Sequence, residues 1–326
     1  MCTVNNGEAP GRPPFARRRA GEEETLFDED MSNIKAPWLN FYGEVPQHLV
    51  YPDCSMVDMV ERQAALYPDY LAFTFMGKKT TYKQMVAQID QTAKAFASIG
   101  VKPGDRVTLC LPNCPQVVLC FYALNKIGAV ASMIHPMSSI GEIAFYLKDA
   151  GSKVAVTLDQ FYPKFEEVRK EYPLDTLLIT SVADGLSLIK GIGFKLTQGR
   201  KNKLPKGAPV LYWKPFQQGG AAYTGDCFVE RKGDDAAVIL FSGGTTGKTK
   251  GILLSNLNFN SLGLQTIAMA NCFKPGMKML AAMPMFTASA WACAFTPCFP
   301  RAAPAFWCPG SPWKAMQSSS SRSSPT

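Results

Sequence analysis

The sequence predicts an α/β fold with a mostly parallel sheet. Apolar runs of strand length alternate with amphipathic stretches of helix length between residues 55 and 160. Successive parallel strands need a crossover connection, which is usually a helix. A chain of 326 residues, 47% of them hydrophobic and 18% charged, can also bury a substantial core. These observations together favour strands and helices that alternate along the chain.

The spacing of apolar residues predicts each element in turn. Apolar positions three or four residues apart indicate helices, and short apolar runs bounded by turn residues indicate buried strands. The predicted elements are helix 56–67, strand 71–75, helix 82–99, strand 107–111, helix 115–127, strand 129–134, helix 140–150 and strand 154–158. The turn GVKPGD at residues 100–105 separates the second helix from the strand that follows it.

Both ends of the chain differ from this pattern. Residues 1–30 are polar and carry an arginine block followed by a glutamate block, which predicts disorder. Met31 opens the first stretch of globular composition. Residues 1–30 are thus either sequence upstream of a start at Met31 or an interaction tail. Residues 287–326 contain no acidic residue and no periodic pattern, so we expect them not to pack.

Composition excludes several classes of protein. The net charge is +8, but the basic residues are scattered, which argues against a nucleic-acid partner and favours small acids or a membrane surface. No apolar run reaches the roughly 18 residues that span a bilayer, and no signal segment is recognisable, so we expect a cytoplasmic protein. Ten cysteines without a C-x-x-C pair indicate reduced, mostly buried thiols and no metal site.

Residues 186–206 mix aliphatic and basic side chains. The mixture is weakly amphipathic, so a peripheral membrane contact is one interpretation. Gly191, Gly193 and Gly199 argue against a stable helix. The favoured interpretation is that residues 186–206 form a solvent-exposed connection between two elements of secondary structure.

A glycine-rich loop lies between two apolar runs at residues 238–256, VILFSGGTTGKTKGILLSN. A Walker A loop, Gly-x-x-x-x-Gly-Lys-Ser/Thr, would need glycine where this chain has Ser242. It would also open a helix after its lysine, whereas the apolar run that follows Gly251 predicts a strand. Successive glycines can expose backbone N–H groups as an anion nest, and hydroxyl and ammonium groups add donors. The sequence therefore predicts a phosphate-binding loop between two strands.

The loop resembles the signature of the AMP-forming acyl-adenylate synthetases, Ser/Thr-Ser/Gly-Gly-Thr-Thr-Gly-x-Pro-Lys-Gly. One departure is Thr249, which stands where the family usually has proline and removes a restraint on φ. The resemblance assigns these residues to nucleotide binding: Ser242, Gly243, Gly244, Thr245, Thr246, Gly247, Lys248, Lys250 and Gly251.

Further stretches extend the resemblance beyond the loop. They are Thr81-Tyr82 before a helix, GVKPGDRV at 100–107, LPNCPQ at 111–116 and Asp234-Asp235 ahead of the loop strand. Together they are most similar to the acyl-CoA ligase branch. The resemblance implies the large N-terminal domain of the adenylate-forming fold, with mostly parallel sheets flanked by helices.

The resemblance also implies a two-step reaction. A carboxylate, such as a fatty acid, attacks the α-phosphate of Mg²⁺-ATP to give acyl-AMP and pyrophosphate, and the thiol of coenzyme A then displaces AMP. Thr245, Thr246 and Lys250 would hold the β- and γ-phosphates by position and charge. The triplet Thr224-Gly225-Asp226 precedes the loop, whereas the family's ribose-binding triplet follows it, so we interpret it as coincidence.

The family's adenine motif, its ribose motif and its small C-terminal domain have no counterpart in this sequence. We therefore expect residues 31–286 to be an incomplete large domain, in a fragment that does not catalyse the full reaction. A nucleotide lost near codon 286 would explain the composition of residues 287–326, because Trp291 with Ala292 then forces glycine and Phe306 with Trp307 forces leucine. The alternatives are a non-catalytic nucleotide-binding protein and a P-loop NTPase.

Overall fold

The computed structural model describes residues 37–197, 202, 204–243, 249–270 and 278–287, together with the backbone of Cys2–Thr3 and Ala305–Trp307. The chain divides into two compact units. The smaller unit is Asn5–Val50, and its described part contains a 3₁₀ turn at Pro37–Phe41. The larger unit contains all the helices and strands named below.

Strands and helices alternate through the larger unit. The described strands are β1 (Cys2–Thr3), β2 (Leu71–Phe75), β3 (Lys78–Thr81), β4 (Arg106–Cys110), β5 (Val130–Met133), β6 (Val154–Leu158), β7 (Thr176–Thr180), β8 (Leu211–Tyr212), β9 (Ala236–Ser242), β10 (Lys250–Ser255), β11 (Met279–Leu280) and β12 (Ala305–Trp307). The described helices are α1 (Met56–Leu66), α2 (Tyr82–Ser98), α3 (Pro115–Lys126), α4 (Ile140–Ala150), α5 (Tyr162–Glu171), α6 (Leu188–Thr197), α7 (Trp213–Ala222) and α8 (Asn256–Ala270).

The described strands form two sheets. The first has the order β1-β10-β9-β5-β4-β6-β7-β8, and the strands from β9 to β8 are all parallel. Strand β10 is antiparallel to β9 and carries the short β1 at the edge. The second sheet has the order β11-β12-β2-β3. The predicted α/β fold with a mostly parallel sheet is confirmed.

Local signals fix where several helices begin. Thr81 accepts a hydrogen bond from the backbone N–H of Gln84, whose side chain accepts in return from the N–H of Thr81, so α2 begins with a capping box. Ser139 and Glu142 form the same arrangement at α4, which ends at Gly151 in the left-handed conformation. The helix predicted after Thr81 is thus confirmed, and its start is set by residues close in sequence.

The core lies between the first sheet and its helices. Helix α3 is buried along almost its whole length, which accounts for its apolar sequence VVLCFYAL. Helix α2 packs beside α3 and α7, where Phe96 and Phe216 meet edge to face with ring centroids 5.0 Å apart. Residues 281 and 285 also belong to this core, so the chain returns to it after the described part of α8.

The expectation that residues 186–206 lack a stable helix is wrong for their first half. Helix α6 forms there because Gly191 is buried against the preceding 3₁₀ turn, where an added Cβ would lie 3.2 Å from the carbonyl oxygen of Ala183. The missing side chain allows this close approach, and partly buried Phe194 packs on the core. Here tertiary contact outweighs the low helix propensity of glycine.

The predicted disorder of residues 1–30 and 287–326 concerns residues that lie mostly outside the described part. In the first segment, the backbone of Cys2–Thr3 pairs with β10. In the second, the backbone of Ala305–Trp307 pairs in parallel with β11 and β2. At these five positions the backbone is paired with neighbouring strands. For the other residues the expected disorder stays a prediction.

Candidate functional site

The glycine-rich loop connects β9 to β10. These strands form an antiparallel ladder in which Ser242 faces Lys250 and Phe241 faces Gly251. Strand β9 lies beside β5 in the interior of the first sheet. The residue after Thr249 begins a strand, which confirms the predicted strand-loop-strand arrangement. A Walker A loop would open a helix at this point, so the geometry argues against a P-loop.

The described residues at the base of the loop face solvent. Ser242, Gly243 and Lys250 are exposed, and Thr249 is half-buried. The remaining predicted site residues lie outside the described part of the chain: Gly244, Thr245, Thr246, Gly247 and Lys248. The described base thus supplies an ammonium group and a hydroxyl group where the loop leaves the sheet.

Gly251 contacts helix α4 closely. Its backbone N–H donates a hydrogen bond to the carboxylate of Asp149, whose pKa is raised by burial although this hydrogen bond opposes the rise. A Cβ at position 251 would lie 2.8 Å from Asp149 Oδ2 and 3.2 Å from the ring of Phe241. Tyr146 of the same helix stacks on Phe241 with ring centroids 4.4 Å apart. Glycine is therefore required by close packing, and the sequence alone did not reveal Asp149 as a support of the loop.

Two further strands end at the same edge as β9. Because β9, β5 and β4 are parallel neighbours, Gly243, His135 and Asn113 all lie just beyond their carboxyl ends. Ligands of open parallel α/β sheets bind at this edge. His135 is exposed, and its Nδ1 accepts a hydrogen bond of 2.8 Å from the backbone N–H of Met137. His135 was missed in the sequence, although its position directly after a buried strand is a usable signal.

Asn113 joins this edge to residues 281–287. Its Nδ2 donates to the carbonyl oxygens of Ala281 at 3.2 Å and Met283 at 2.8 Å. Its Oδ1 accepts from the backbone N–H of Met285 at 2.9 Å. The ring of Phe286 then lies on His135, with centroids 4.3 Å apart. The stretches LPNCPQ and AAMPMF, distant in sequence, therefore meet beside the loop strand.

The triplet Thr224-Gly225-Asp226 lies elsewhere, and its three residues are exposed. Shortly after it, the backbone N–H of Val229 donates to the carbonyl of Lys126 at 3.0 Å. Lys126 ends α3 at the amino-terminal edge of the sheet, opposite the loop. The geometry agrees with the interpretation that this triplet is a coincidence.

The cysteines in the described part of the chain are free thiols. Cys54, Cys110, Cys114 and Cys120 are buried, and Cys227 is half-buried. Burial raises the pKa of Cys110 and of Cys114 to about 12. Such protonated thiols are inert, and their burial agrees with the predicted reduced, mostly buried thiols. In the part of the chain that the structure describes, no group of three or more His, Cys, Asp or Glu side chains could hold a metal ion.

The arrangement at the carboxyl edge combines the exposed base of the glycine-rich loop with side chains that follow two neighbouring strands. Backbone N–H groups, the Ser242 hydroxyl and the Lys250 ammonium are donors suited to phosphate oxygens.

None of the helices that the structure describes is long and apolar enough to cross a membrane.

Sequence comparison gives matches over most of the chain. The profile described as AMP-binding enzyme matches residues 60–317. The long-chain-fatty-acid–CoA ligase of Bacillus subtilis (strain 168) is 31% identical over 235 residues, 68% of this chain and 40% of that protein. The crotonobetaine/carnitine–CoA ligase of Salmonella typhimurium (strain LT2) is 30% identical over 206 residues, 61% of this chain and 36% of that protein. The chain therefore spans about two fifths of the length of these relatives.

Solved structures share the fold. The N-terminal domain of FACL13 from Mycobacterium tuberculosis superposes with a TM-score of 0.64 at 22% identity, covering 81% of this chain and 60% of that one. The anthranilate–CoA ligase AuaEII superposes with a TM-score of 0.68 at 18% identity, covering 82% of this chain and 48% of that one. At these identities the likeness concerns the fold, and it agrees with the predicted N-terminal large domain.

Proposed function

The chain belongs to the AMP-binding enzyme family, and from that premise we propose that residues 242–251 bind the triphosphate of ATP. The observation that carries this proposal is the antiparallel pair β9 and β10, which presents the loop at the carboxyl edge of a parallel sheet. The exposed base of the loop supports it, because a triphosphate must reach Lys250 from solvent.

Within this loop, each residue type has a distinct task. Gly243, Gly244 and Gly247 would let backbone N–H groups face the phosphate oxygens. Thr245 and Thr246 would donate from their hydroxyls, and the ammonium groups of Lys248 and Lys250 would balance negative charge. Ser242 would add a donor where β9 ends, and Gly251 would keep β10 close to α4.

We further propose that the protein is an AMP-forming acid–thiol ligase, which is the activity named for its relatives. The carboxylate oxygen of the acid bonds to the α-phosphorus of ATP as pyrophosphate leaves. The sulfur of coenzyme A then bonds to the acyl carbon as AMP leaves. The loop residues would hold the leaving pyrophosphate and stabilise its charge. A fatty acid is the proposed substrate class, since the Bacillus subtilis relative is a long-chain-fatty-acid–CoA ligase.

Mg²⁺ would accompany ATP and neutralise phosphate charge. Such an ion is held by phosphate oxygens with one or two carboxylates. Binding of Mg²⁺ together with ATP therefore does not require a preformed cluster of metal ligands among the described residues. The cytoplasmic location and the inability of the 326-residue chain to form acyl-CoA by itself stay predictions.

ATP binding tests the loop directly. We expect titration calorimetry with Mg²⁺-ATP to show binding that Lys250→Ala weakens about 10- to 100-fold, because a charge-assisted hydrogen bond contributes about 1.5–3 kcal/mol. Lys79→Ala is the matched control, since Lys79 is an exposed lysine of β3 in the second sheet. Equal affinities of the two variants for Mg²⁺-ATP would contradict the proposed role of Lys250.

Acid-dependent exchange between ATP and labelled pyrophosphate tests the chemistry. Exchange that requires a fatty acid would support the ligase proposal and would show that this chain suffices for the first step. ATP binding without exchange, over a panel of fatty and aromatic acids, is the result expected if this chain is an incomplete ligase domain, and it also agrees with the non-catalytic nucleotide-binding alternative. Robust exchange would contradict the prediction that the domain is incomplete. The two assays thereby separate loss of the phosphate site from loss of acid activation.

A further inference from the structure

Helix α6 carries an exposed apolar face. Leu188 and Ile189 are 86% and 85% exposed, and Ile192 and Leu196 are each 56% exposed. At 3.6 residues per turn these four positions fall within an arc of about 100° on one side of the helix. A continuous stripe of four large aliphatic side chains in solvent differs from the isolated exposed residues of ordinary surfaces.

The opposite side of α6 is fixed to the body of the domain. Gly191 is buried against the turn before the helix, and Phe194 packs on the core. Lys190 Nζ donates a 2.7 Å hydrogen bond to the carbonyl of Met76 in the turn between β2 and β3. These contacts anchor helix α6 to the domain and leave its apolar stripe facing solvent. The stripe is therefore exposed on a helix that is packed against the domain.

Positive charge surrounds this helix in the sequence. Residues 185–225 contain seven lysines and arginines and no aspartate or glutamate. Three of these lysines, Lys190, Lys206 and Lys214, are exposed in the described part of the chain. The turn that receives Lys190 also continues into two exposed lysines, Lys78 and Lys79. An apolar stripe beside basic side chains is the pattern of helices that lie in the interface of an anionic membrane.

We propose that the apolar face of α6 docks on an anionic lipid bilayer, with Leu188, Ile189, Ile192 and Leu196 inserted among the acyl chains. The basic side chains near the helix then contact lipid phosphates. A second copy of this chain fits the surface less well, because it would bring two basic segments together. Four side chains on one helix also offer much less area than the roughly 800 Å² per partner of a stable protein interface. This inference does not depend on the proposed ligase activity.

Vesicle binding tests the proposal. We expect the full chain to co-sediment with vesicles of equal parts phosphatidylglycerol and phosphatidylcholine about 10-fold more strongly than with phosphatidylcholine alone. The double variant Leu188→Ser with Ile189→Ser should reduce partitioning into the anionic vesicles about 10-fold or more. Both side chains are almost fully exposed, so the fold should tolerate these changes.

The matched control is Leu66→Ser with Met269→Ser, two side chains that are 68% and 67% exposed on other helices. This control should bind the vesicles as the unchanged chain does. Hydrogen exchange on the vesicles should show added protection in α6. No binding, binding unaffected by the α6 serines, or protection confined to other segments would each overturn the proposal. A change in sedimentation velocity caused by the α6 serines without vesicles would also overturn it, in favour of self-association.

Discussion

Asn125 and Asn256 share a buried hydrogen bond in which Asn125 Nδ2 donates to Asn256 Oδ1 across 2.7 Å. Asn125 Oδ1 also accepts from the backbone N–H of Val57 at 3.1 Å. Asn256 Nδ2 donates to the carbonyl of Lys232 at 2.8 Å. This pair therefore joins the start of α1, the end of α3 and the start of α8, directly after the strand that leaves the candidate phosphate loop.

Replacing Asn256 by alanine should reduce the free energy of unfolding by about 2–4 kcal/mol, because two buried donors, Asn125 Nδ2 and the backbone N–H of Met56, lose the acceptor Asn256 Oδ1. Urea denaturation followed by circular dichroism measures the loss. Asn258→Ala is the matched control on the same helix, since Asn258 is exposed and bonds Ser255 at the helix start. The control should lose about 1 kcal/mol. Similar losses for both variants would contradict the role given to the buried pair.

Gly251→Ala should destabilise the fold by about 1–3 kcal/mol, since its Cβ would overlap Asp149 and press on Phe241. Gly243→Ala, where an added Cβ meets nothing within 4 Å, should change the unfolding free energy by less. A double-mutant cycle with Asp149→Ala identifies the cause. We expect the alanine at position 251 to cost less when the carboxylate is absent, and strict additivity would argue that Asp149 is not the limiting contact.

Asn113→Ala should loosen residues 281–287 without unfolding the domain. Three hydrogen bonds from this side chain hold Ala281, Met283 and Met285. We expect amide hydrogen exchange of this segment to accelerate about 10-fold or more, as local opening loses these contacts. Exchange in β5 should be unchanged. If residues 281–287 keep their original protection, the clamp assigned to Asn113 is incorrect.

Stability should fall at alkaline pH because of the buried thiols. Burial raises the pKa of Cys110 and Cys114 to about 12, whereas an unfolded thiol titrates near about 8.5. Between these values the unfolded chain binds fewer protons than the folded chain, so the free energy of unfolding decreases as pH rises. Each thiol contributes a slope of up to about 1.4 kcal/mol per pH unit.

Urea denaturation at pH 8, 9 and 10 measures this slope. The Cys110→Ala, Cys114→Ala double variant should show a shallower decline, although the cavities left by the removed thiols lower its stability at every pH. Only the difference in slope tests the thiols, because other alkaline groups titrate in both chains. Parallel slopes would show that these cysteines do not control the alkaline response.

The sequence by itself determined the features that depend on near neighbours. Thr81 and Gln84 are three residues apart, so the start of α2 could be predicted from propensity and capping. The same holds for the alternation of strands and helices through residues 56–158 and for the return of the chain into a strand at Lys250. Short-range steric and hydrogen-bonding rules suffice for such elements.

Other features were decided by contacts between distant parts of the chain. Helix α6 forms because Gly191 fits against Ala183, and the spacing of glycines alone predicted the opposite. Asn113 meets Met283 from 170 positions away. Asp149 supports Gly251 from a separate helix. No local pattern identifies these partners, because burial, strand order and close packing exist only after the sheet and its helices assemble.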